Sequence, residues 1–482
     1  MSVARGSTVR TACLPAAIGP CISAEMTGTV AVPLWLLILI VALAAISFLS
    51  HFLFPSVRWY FRRRMERVVG ELNKRLDRPI QPFKLMERND MIVRLVHDPK
   101  VAEAVVAEAA ATGEPESVVQ QRARAYAREI VPSFSASLYF GVATRLARWL
   151  SRLIYRVRIG EFDAAAIEAI DRNATVVFVM NHRSNMDYVL VTYLAAGRTA
   201  LSYAVGEWAR VWPLSGLIRS MGAYFIRRKS NNPLYRRVLM RYVQMATDAG
   251  VTQAIFPEGG LSLDGRVGAA KLGILSYIVM GRDPGGRDVV FIPVAINYDR
   301  VLEDRVLNEA QRKGERRFRA SVRTIGAFLG RHLWRKIRGR FKRFGYAAVS
   351  FGRPLSMNEV IAGAKGDPTE ELAARLMDRI RAVVPVLPVP LAAIALGEDL
   401  EISEEVLIDR ARALVAQFEA KGAHLNLPSG SPEARLRVGL ETLAVRRIVT
   451  RDGGMVRVNP KDSDLLAFYA ASVRQLLDAP AA

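Results

Sequence analysis

The stretch Thr175–Leu190 reads TVVFVMNHRSNMDYVL. Six residues, TVVFVM, form a short β-branched and apolar run of strand character. Five polar residues follow, and MDYVL then opens a helical pattern. A strand, a tight turn and a helix in that order are one half of a βαβ unit. His182 falls in the turn and Asp187 in the first turn of the helix, with Ser184 or Asn185 as its cap. On one straight helix, five residues turn through about 140° and would part the two side chains. Across a strand-to-helix turn they meet, at the carboxyl end of a strand, where open α/β sheets bind ligands. A neutral imidazole there takes a proton from a hydroxyl, and the carboxylate fixes its tautomer.

The alternation continues downstream. GAYFIR, TQAIFP, VVFIPVAIN and GYAAVSFG are further strand-like runs, and LYRRVLMRYVQMATDAG is a helix between two of them. The expected fold is α/β: a mixed, mostly parallel sheet flanked by helices, over residues 161–385. Pro293, inside VVFIPVAIN, predicts an edge strand or a strand start. Residues 55–160 read as helical. DPKVAEAVVAEAAATG has Asp98 and Pro99 at its start and Gly113 at its end. LYFGVATRLARWLSRLIYRVRIG reads as an amphipathic helix, with Arg145, Arg148, Arg152 and Arg156 on one face and Leu146, Trp149, Leu150, Leu153 and Ile154 on the other. Residues 386–482 read as helical, with a hairpin in RIVTRDGGMVRVNP.

The chain has 482 residues and about half of them are apolar, so it is not disordered. Lys and Arg outnumber Asp and Glu by 68 to 46, a net charge of +22. That surplus points to an anionic partner. The two cysteines, Cys13 and Cys21, make neither a disulfide framework nor a thiolate metal site. No Gly-x-Ser-x-Gly elbow is present, so a substrate hydroxyl, activated by His182, is the expected nucleophile.

Thr27–Ser50 carries no charge, and a transmembrane helix is expected at 29–54 after a tail, 1–28, that precedes or includes an alternative start at Met26. Arg58, Arg62, Arg63 and Arg64 follow it, against Arg5 and Arg10 before it. The positive-inside rule then places the bulk of a single-pass chain on the cytoplasmic side. Arg312–Arg343 holds 13 Lys or Arg against one Glu, with apolar residues recurring every three or four positions. Such a helix suits an anionic membrane surface. The hairpin beside it is not strongly basic, so nucleic acid is not the expected partner.

Four stretches in one order carry a resemblance: HRSNMDYVL, GAYFIRR, FPEGGLSLDGR and IPVAINYDRVLE. They resemble the four blocks of the glycerolipid acyltransferases whose site is a histidine, four residues and an aspartate. HRS with MDY, the doubled arginine in FIRR, and EGG are most similar to the bacterial membrane-bound glycerol-3-phosphate acyltransferases. With this bacterial resemblance, the expected location is the cell inner membrane, with the catalytic domain on the cytoplasmic side. The resemblance extends over roughly residues 95–475. It implies transfer of a fatty acyl group from acyl-CoA or acyl-carrier protein to the sn-1 hydroxyl of glycerol 3-phosphate, giving lysophosphatidate. By the same resemblance His182 is the base and Asp187 its partner. Phe225, Ile226 and Arg228, with Arg227 beside them, match the acceptor-binding block. Glu258, Gly259, Gly260 and Ser262 match the third block, and Pro293 the block linked to the acyl donor. Arg266 and Lys271 stand close by. The third block of the family usually carries two arginines where this chain has Leu261 and Leu263. An acceptor such as lysophosphatidate or dihydroxyacetone phosphate therefore stays open, as does a membrane-tethered binding protein with a lapsed site. No metal or organic cofactor is implied.

Overall fold

The computed structural model describes residues 33–195, 198–206, 214–227, 230–314 and 343–478, with Gly330, Trp334 and Arg338, except for the side chains of 45–62 and Met65. It divides into two compact units, Met1–Val68 and Val69–Ala482. The first contains most of a 40-residue helix, Leu34–Asn73. Leu34, Trp35, Leu37 and Ile38 on its opening turns are exposed. Among the described residues, no helix is long and apolar enough to cross a membrane. The expected spanning helix is therefore not shown. Its apolar side chains are described only as far as Ala44, too short a run for a hydrocarbon core of about 30 Å at 1.5 Å per residue. Most of the basic stretch Arg312–Arg343 also lies outside the described residues.

The second unit is built on a sheet with the order β1-β7-β6-β2-β5-β3-β4, with β8 paired to β6. The strands are β1 Arg156–Phe162, β2 Thr175–Met180, β3 Ser202–Gly206, β4 Tyr224–Ile226, β5 Gln253–Ile255, β6 Val289–Tyr298, β7 Tyr346–Phe351 and β8 Leu355–Ser356. β6, β2, β5, β3 and β4 run parallel, and β7 runs antiparallel to β6. The sheet is thus mixed and mostly parallel, as expected.

Side-chain alternation divides the core in two. Val177 and Val179 of β2, with Val289, Phe291 and Ala295 of β6, face one apolar cluster. Val176 and Met180, with Val290, Ile292, Val294, Ile296 and Tyr298, face the other. Helices cover both faces, which is why these central strands read as nearly continuous apolar runs. The first face packs against Glu116–Ile130, Pro233–Asp248 and Pro368–Ala382. The second packs against Met186–Ala195, Pro388–Leu396 and the C-terminal helix Ser463–Asp478.

Three local expectations change. β6 is an interior strand, not an edge: it pairs with β2 on one side and with β7 and β8 on the other. Pro293 is tolerated because it falls between the β8 and β7 ladders. There its carbonyl accepts from Gly352 N–H at 2.8 Å, and neither the β8 pairing at Val290 and Phe291 nor the β7 pairing from Val294 includes it. The amphipathic helix stops at Ile154, after a π-helical turn at Ser137–Ala143, and Arg156–Phe162 is strand β1, parallel to β7. Its apolar face is also split: Leu153 and Ile154 are buried, whereas Leu146 and Trp149 are exposed. β3, unread in the sequence, completes the sheet between β5 and β4. Other expectations hold. Asp98 caps Pro99–Thr112 by accepting from Lys100 N–H, and Gly113 ends that helix at φ +70°. The hairpin forms as β10 Val449–Asp452 and β11 Met455–Val458, turning through Gly453 and Gly454, and a third strand, β9 Glu401–Ser403, joins it.

Candidate active site

β2 ends at Met180 and delivers residues 181–185 to the carboxyl edge of the sheet. The Asn181 side chain extends the ladder: its Nδ2 donates to the Ile296 carbonyl at 3.0 Å and its Oδ1 accepts from Ile296 N–H at 2.7 Å. Ser184 opens the next helix, its hydroxyl accepting from Met186 N–H at 3.1 Å. Between them, His182 Nδ1 lies 2.9 Å from Asp187 Oδ2. Both residues are buried.

The Asp187 carboxylate is saturated with donors. Oδ2 also accepts from the backbone N–H groups of Arg183, at 2.8 Å, and Ser184, at 3.0 Å. Oδ1 accepts from the Tyr298 hydroxyl at 2.7 Å. A carboxylate so held has one fixed orientation. It fixes the proton of the neutral imidazole on Nδ1 and leaves Nε2 as the accepting nitrogen. The imidazole lies against the Phe256 ring, with centroids 4.2 Å apart and planes at 31°, and meets the edge of Tyr188.

The third block follows β5 and braces this loop rather than facing outward. Glu258 accepts from His182 N–H at 2.9 Å and Gly268 N–H at 3.2 Å. Burial pushes its carboxyl up to about 7, against the opposing pull of these two hydrogen bonds. Ser262 N–H donates to the His182 carbonyl at 2.8 Å, and the Ser262 hydroxyl donates to the Arg266 carbonyl at 2.7 Å. Gly259, at φ +65°, sends its N–H to the Phe256 carbonyl at 3.0 Å. That amide is therefore committed to the turn and is not offered to an oxyanion. The Lys271 side chain lies over Gly259, close enough that a Cβ there would meet it at 2.8 Å. The Arg266 side chain is exposed. Leu261 and Leu263 are half-buried against the second core cluster.

The acceptor block lies at the end of β4. Phe225 is fully buried, with the Arg219 guanidinium 4.9 Å from its ring centroid, and Ile226 packs on the first core cluster. Arg227 is not an open clamp. Its Nε and Nη2 donate to the two carboxylate oxygens of Glu129 at 2.9 and 2.6 Å, and its guanidinium sits over the rings of Tyr126 and Tyr235. Arg228 lies outside the described residues. Pro293 is buried within the sheet, one residue from the Val294 carbonyl that accepts Asn181 N–H at 3.4 Å.

Tyr298, Glu303 and Arg183 were not singled out in the sequence, although each lies in a quoted stretch. Glu303 accepts from the Ser184 hydroxyl at 2.7 Å and from Asn185 Nδ2 at 3.1 Å, and burial raises its carboxyl. Arg183, fully buried, donates through Nη1 to the Gly265 carbonyl. Among the described residues, no group of acidic, His or Cys side chains is arranged to hold a metal ion.

Comparison with known families matches both halves of this architecture. Residues 162–297 match the family described as acyltransferase, and residues 331–481 match the glycerol-3-phosphate acyltransferase C-terminal region. The chain is similar to the glycerol-3-phosphate acyltransferases in both regions. The glycerol-3-phosphate acyltransferase of Ectopseudomonas mendocina is 27% identical over 467 residues, covering 88% of this chain and 52% of that protein. That of Aeromonas hydrophila is 26% identical over 461 residues, covering 90% and 54%. The chain thus spans about half the length of the curated relatives it matches. Among solved structures, the 1-acyl-sn-glycerophosphate acyltransferase of Thermotoga maritima is 20% identical over 50% of this chain and 75% of that one. Its TM-score is 0.31, a likeness too slight to bear on this fold. The family match joins a C-terminal region to the domain that carries His182 and Asp187.

Proposed function

We propose that this protein transfers a fatty acyl group from an acyl thioester to the sn-1 hydroxyl of glycerol 3-phosphate, forming lysophosphatidate. The observation that carries the reading is the His182–Asp187 pair, at 2.9 Å with all of its carboxylate oxygens engaged, at the carboxyl edge of the sheet. His182 Nε2 takes the hydroxyl proton as the oxygen attacks the thioester carbonyl. The tetrahedral intermediate collapses by breaking the carbon–sulfur bond, and the imidazolium returns the proton to the departing thiolate. Asp187 stabilises the transient imidazolium.

The donor is acyl-CoA or acyl-carrier protein, both anionic and both suited to a chain of net charge +22. The site residues keep the roles the resemblance implies, with two refinements. Glu258 and Ser262 act by shaping the His182 loop, and the phosphate is met by Arg228 and Arg266 rather than by Arg227. The exposed residues Leu146 and Trp149 fall on the helix Thr144–Ile154, beside Arg145, Arg148 and Arg152, and exposed Val142 lies in the π-helical turn that leads into it. An anionic membrane surface fits that face. The N-terminal apolar stretch and the arginines after it support attachment to the cell inner membrane, with catalysis on the cytoplasmic side.

The test is an assay of detergent-purified protein with one acyl thioester against glycerol 3-phosphate, dihydroxyacetone phosphate and lysophosphatidate. Efficient use of glycerol 3-phosphate is expected. Efficient use of lysophosphatidate with no use of glycerol 3-phosphate would replace the acceptor. That second acceptor is the one Leu261 and Leu263 favour, since they bring apolar surface where the resemblance expects arginine.

A further inference from the structure

The C-terminal helix Ser463–Asp478 reaches three loops that build the site. Its Phe468 ring underlies the Arg183 guanidinium, 4.6 Å from the guanidinium carbon to the ring centroid. Gly265, at φ +89°, packs so closely on the same residue that a Cβ would come within 1.9 Å of the Phe468 carbonyl oxygen. Gln475 Oε1 accepts from Val267 N–H at 3.1 Å. On the side of β6, the Tyr469 hydroxyl oxygen accepts from Val301 N–H at 3.1 Å, and the Ser472 hydroxyl oxygen accepts from Asn297 Nδ2 at 3.3 Å. One helix therefore holds the third block through residues 265 and 267, and the fourth through 297 and 301.

Arg183 carries this grip to the dyad. Its backbone N–H donates to Asp187 Oδ2 at 2.8 Å, and its side chain is fully buried. Nη1 donates to the Gly265 carbonyl, whereas Nε and Nη2 have no hydrogen-bond partner among the described residues. A buried guanidinium with two unmet donors is costly. The face of the Phe468 ring, with the Gly265 carbonyl, is what holds it where it is. A shift of Arg183 moves its own backbone N–H off Asp187.

We propose that the helix Ser463–Asp478 is a positioning element of the catalytic pair, acting on Asp187 through Phe468 and Arg183. The proposal rests on the reading of His182 as the general base. It assigns Phe468 and Arg183 to the rate of the chemical step and not to substrate affinity. It also gives the C-terminal region a part in catalysis without any residue of that region touching substrate.

The test uses the full chain in detergent. Phe468→Leu keeps apolar bulk and removes the ring. It should lower kcat about tenfold, the scale expected for a sub-ångström misplacement of a catalytic group. The KM values for both substrates should stay within about twofold, as for an interaction made in the transition state alone. The low-field Nδ1 proton resonance of ¹⁵N-labelled His182 should weaken or shift, and Phe468→Tyr should restore both rate and resonance. Unchanged kcat in Phe468→Leu, or a rise in KM at constant kcat, would overturn the proposal. So would a loss that tyrosine does not repair. If Phe468→Leu does not fold, Arg183→Lys takes its place: it keeps the charge and loses the planar fork, and a wild-type rate and resonance there would overturn the idea equally. If the wild-type protein transfers no acyl group, the activity reading fails by itself. The resonance then decides the positioning claim, because an unaltered His182 signal in Phe468→Leu rejects it.

Discussion

The Tyr298 hydroxyl donates to Asp187 Oδ1 at 2.7 Å, tying the last residue of β6 to the first turn of the helix after β2. Every donor on this carboxylate then has a distinct origin: an imidazole, two successive amides and a phenol. Burial and the adjacent Asp187 charge both raise the phenol, so it remains a proton donor throughout the working pH range. Tyr298→Phe removes that donor and leaves one carboxylate oxygen buried without it. The expected cost is about 1.5–3 kcal/mol of stability, as for loss of a hydrogen bond to a charged group. A fall in kcat should accompany it. Chemical denaturation and steady-state rates of the variant check both, and wild-type values in each would contradict the role given to this bond.

His182→Ala should lower kcat by on the order of 10²–10⁴, the usual loss for a general base. Asp187→Asn should come close to it for a specific reason. Among the described residues, the four groups hydrogen-bonded to Asp187 are donors, so an amide must turn its own N–H₂ toward some of them. The imidazole then loses both its orienting charge and its tautomer. Circular dichroism separates this from unfolding, and a folded His182→Ala variant with near-wild-type turnover would end the base assignment.

The dyad was legible because a strand, a polar turn and a helix start can be read within sixteen residues. Its supports were not. Tyr298 and Glu303 lie in the fourth block, but only the chain's return through β6 brings them to the turn after β2. Phe468 reaches Arg183 from a C-terminal helix that no local pattern links to it. Pro293 misled for the opposite reason. A proline in a strand-like run argues for an edge, and only the β8-to-β7 change of partner shows why an interior strand accepts it. Arg227 looked like half of a phosphate clamp, because its partner Glu129 belongs to a helix 98 residues earlier in the chain.

Glu258 and Asp299 give stability an unusual pH dependence. Burial raises both carboxyls to about 7, from ordinary values of 4.5 and 3.8. The folded state therefore holds protons that the unfolded state has released, and stability falls as pH rises from about 4 through 7. Each raised pKa unit is worth about 1.4 kcal/mol, so either group contributes up to a few kcal/mol across that window. Glu258→Gln and Asp299→Asn cannot titrate. Relative to each variant, the wild-type protein should gain stability as pH drops from 7 to 4.5. Urea midpoints across that range check it, and parallel curves for wild type and variants would refute the linkage.

Membrane contact through the Val142, Leu146 and Trp149 face makes a separable prediction. Trp149→Ser with Leu146→Ser should weaken binding to anionic vesicles and leave the acyl-transfer rate on detergent-dispersed substrate within about twofold, since neither side chain is buried. Raising the salt should weaken wild-type binding, because Arg145, Arg148 and Arg152 are then screened. Vesicle sedimentation reads both effects, and equal binding by wild type and the double variant would remove this face from the interface.

Arg227 and Arg228 are neighbours in the sequence with opposite expected roles. Arg227 is bound bidentately by Glu129 and packed against the rings of Tyr126 and Tyr235, so its charge is already answered within the protein. Arg227→Ala should destabilise the fold by unpinning β4 from the helix Glu116–Ile130, and Glu129→Gln should do the same. In either case the KM for glycerol 3-phosphate should move little in the fraction that stays folded. A dianionic phosphate leaving water needs its own cations, and the proposed function gives that part to Arg228. Arg228→Ala should weaken acceptor use by roughly 2–4 kcal/mol, the cost of removing one partner from a charge-assisted pair in a closed site. The KM for the acyl thioester should barely change. Melting curves and acceptor titrations of the three variants separate the roles. If Arg227→Ala raises the acceptor KM as much as Arg228→Ala does, with no loss of stability, then Glu129 yields Arg227 to the phosphate, and the two arginines form the clamp together.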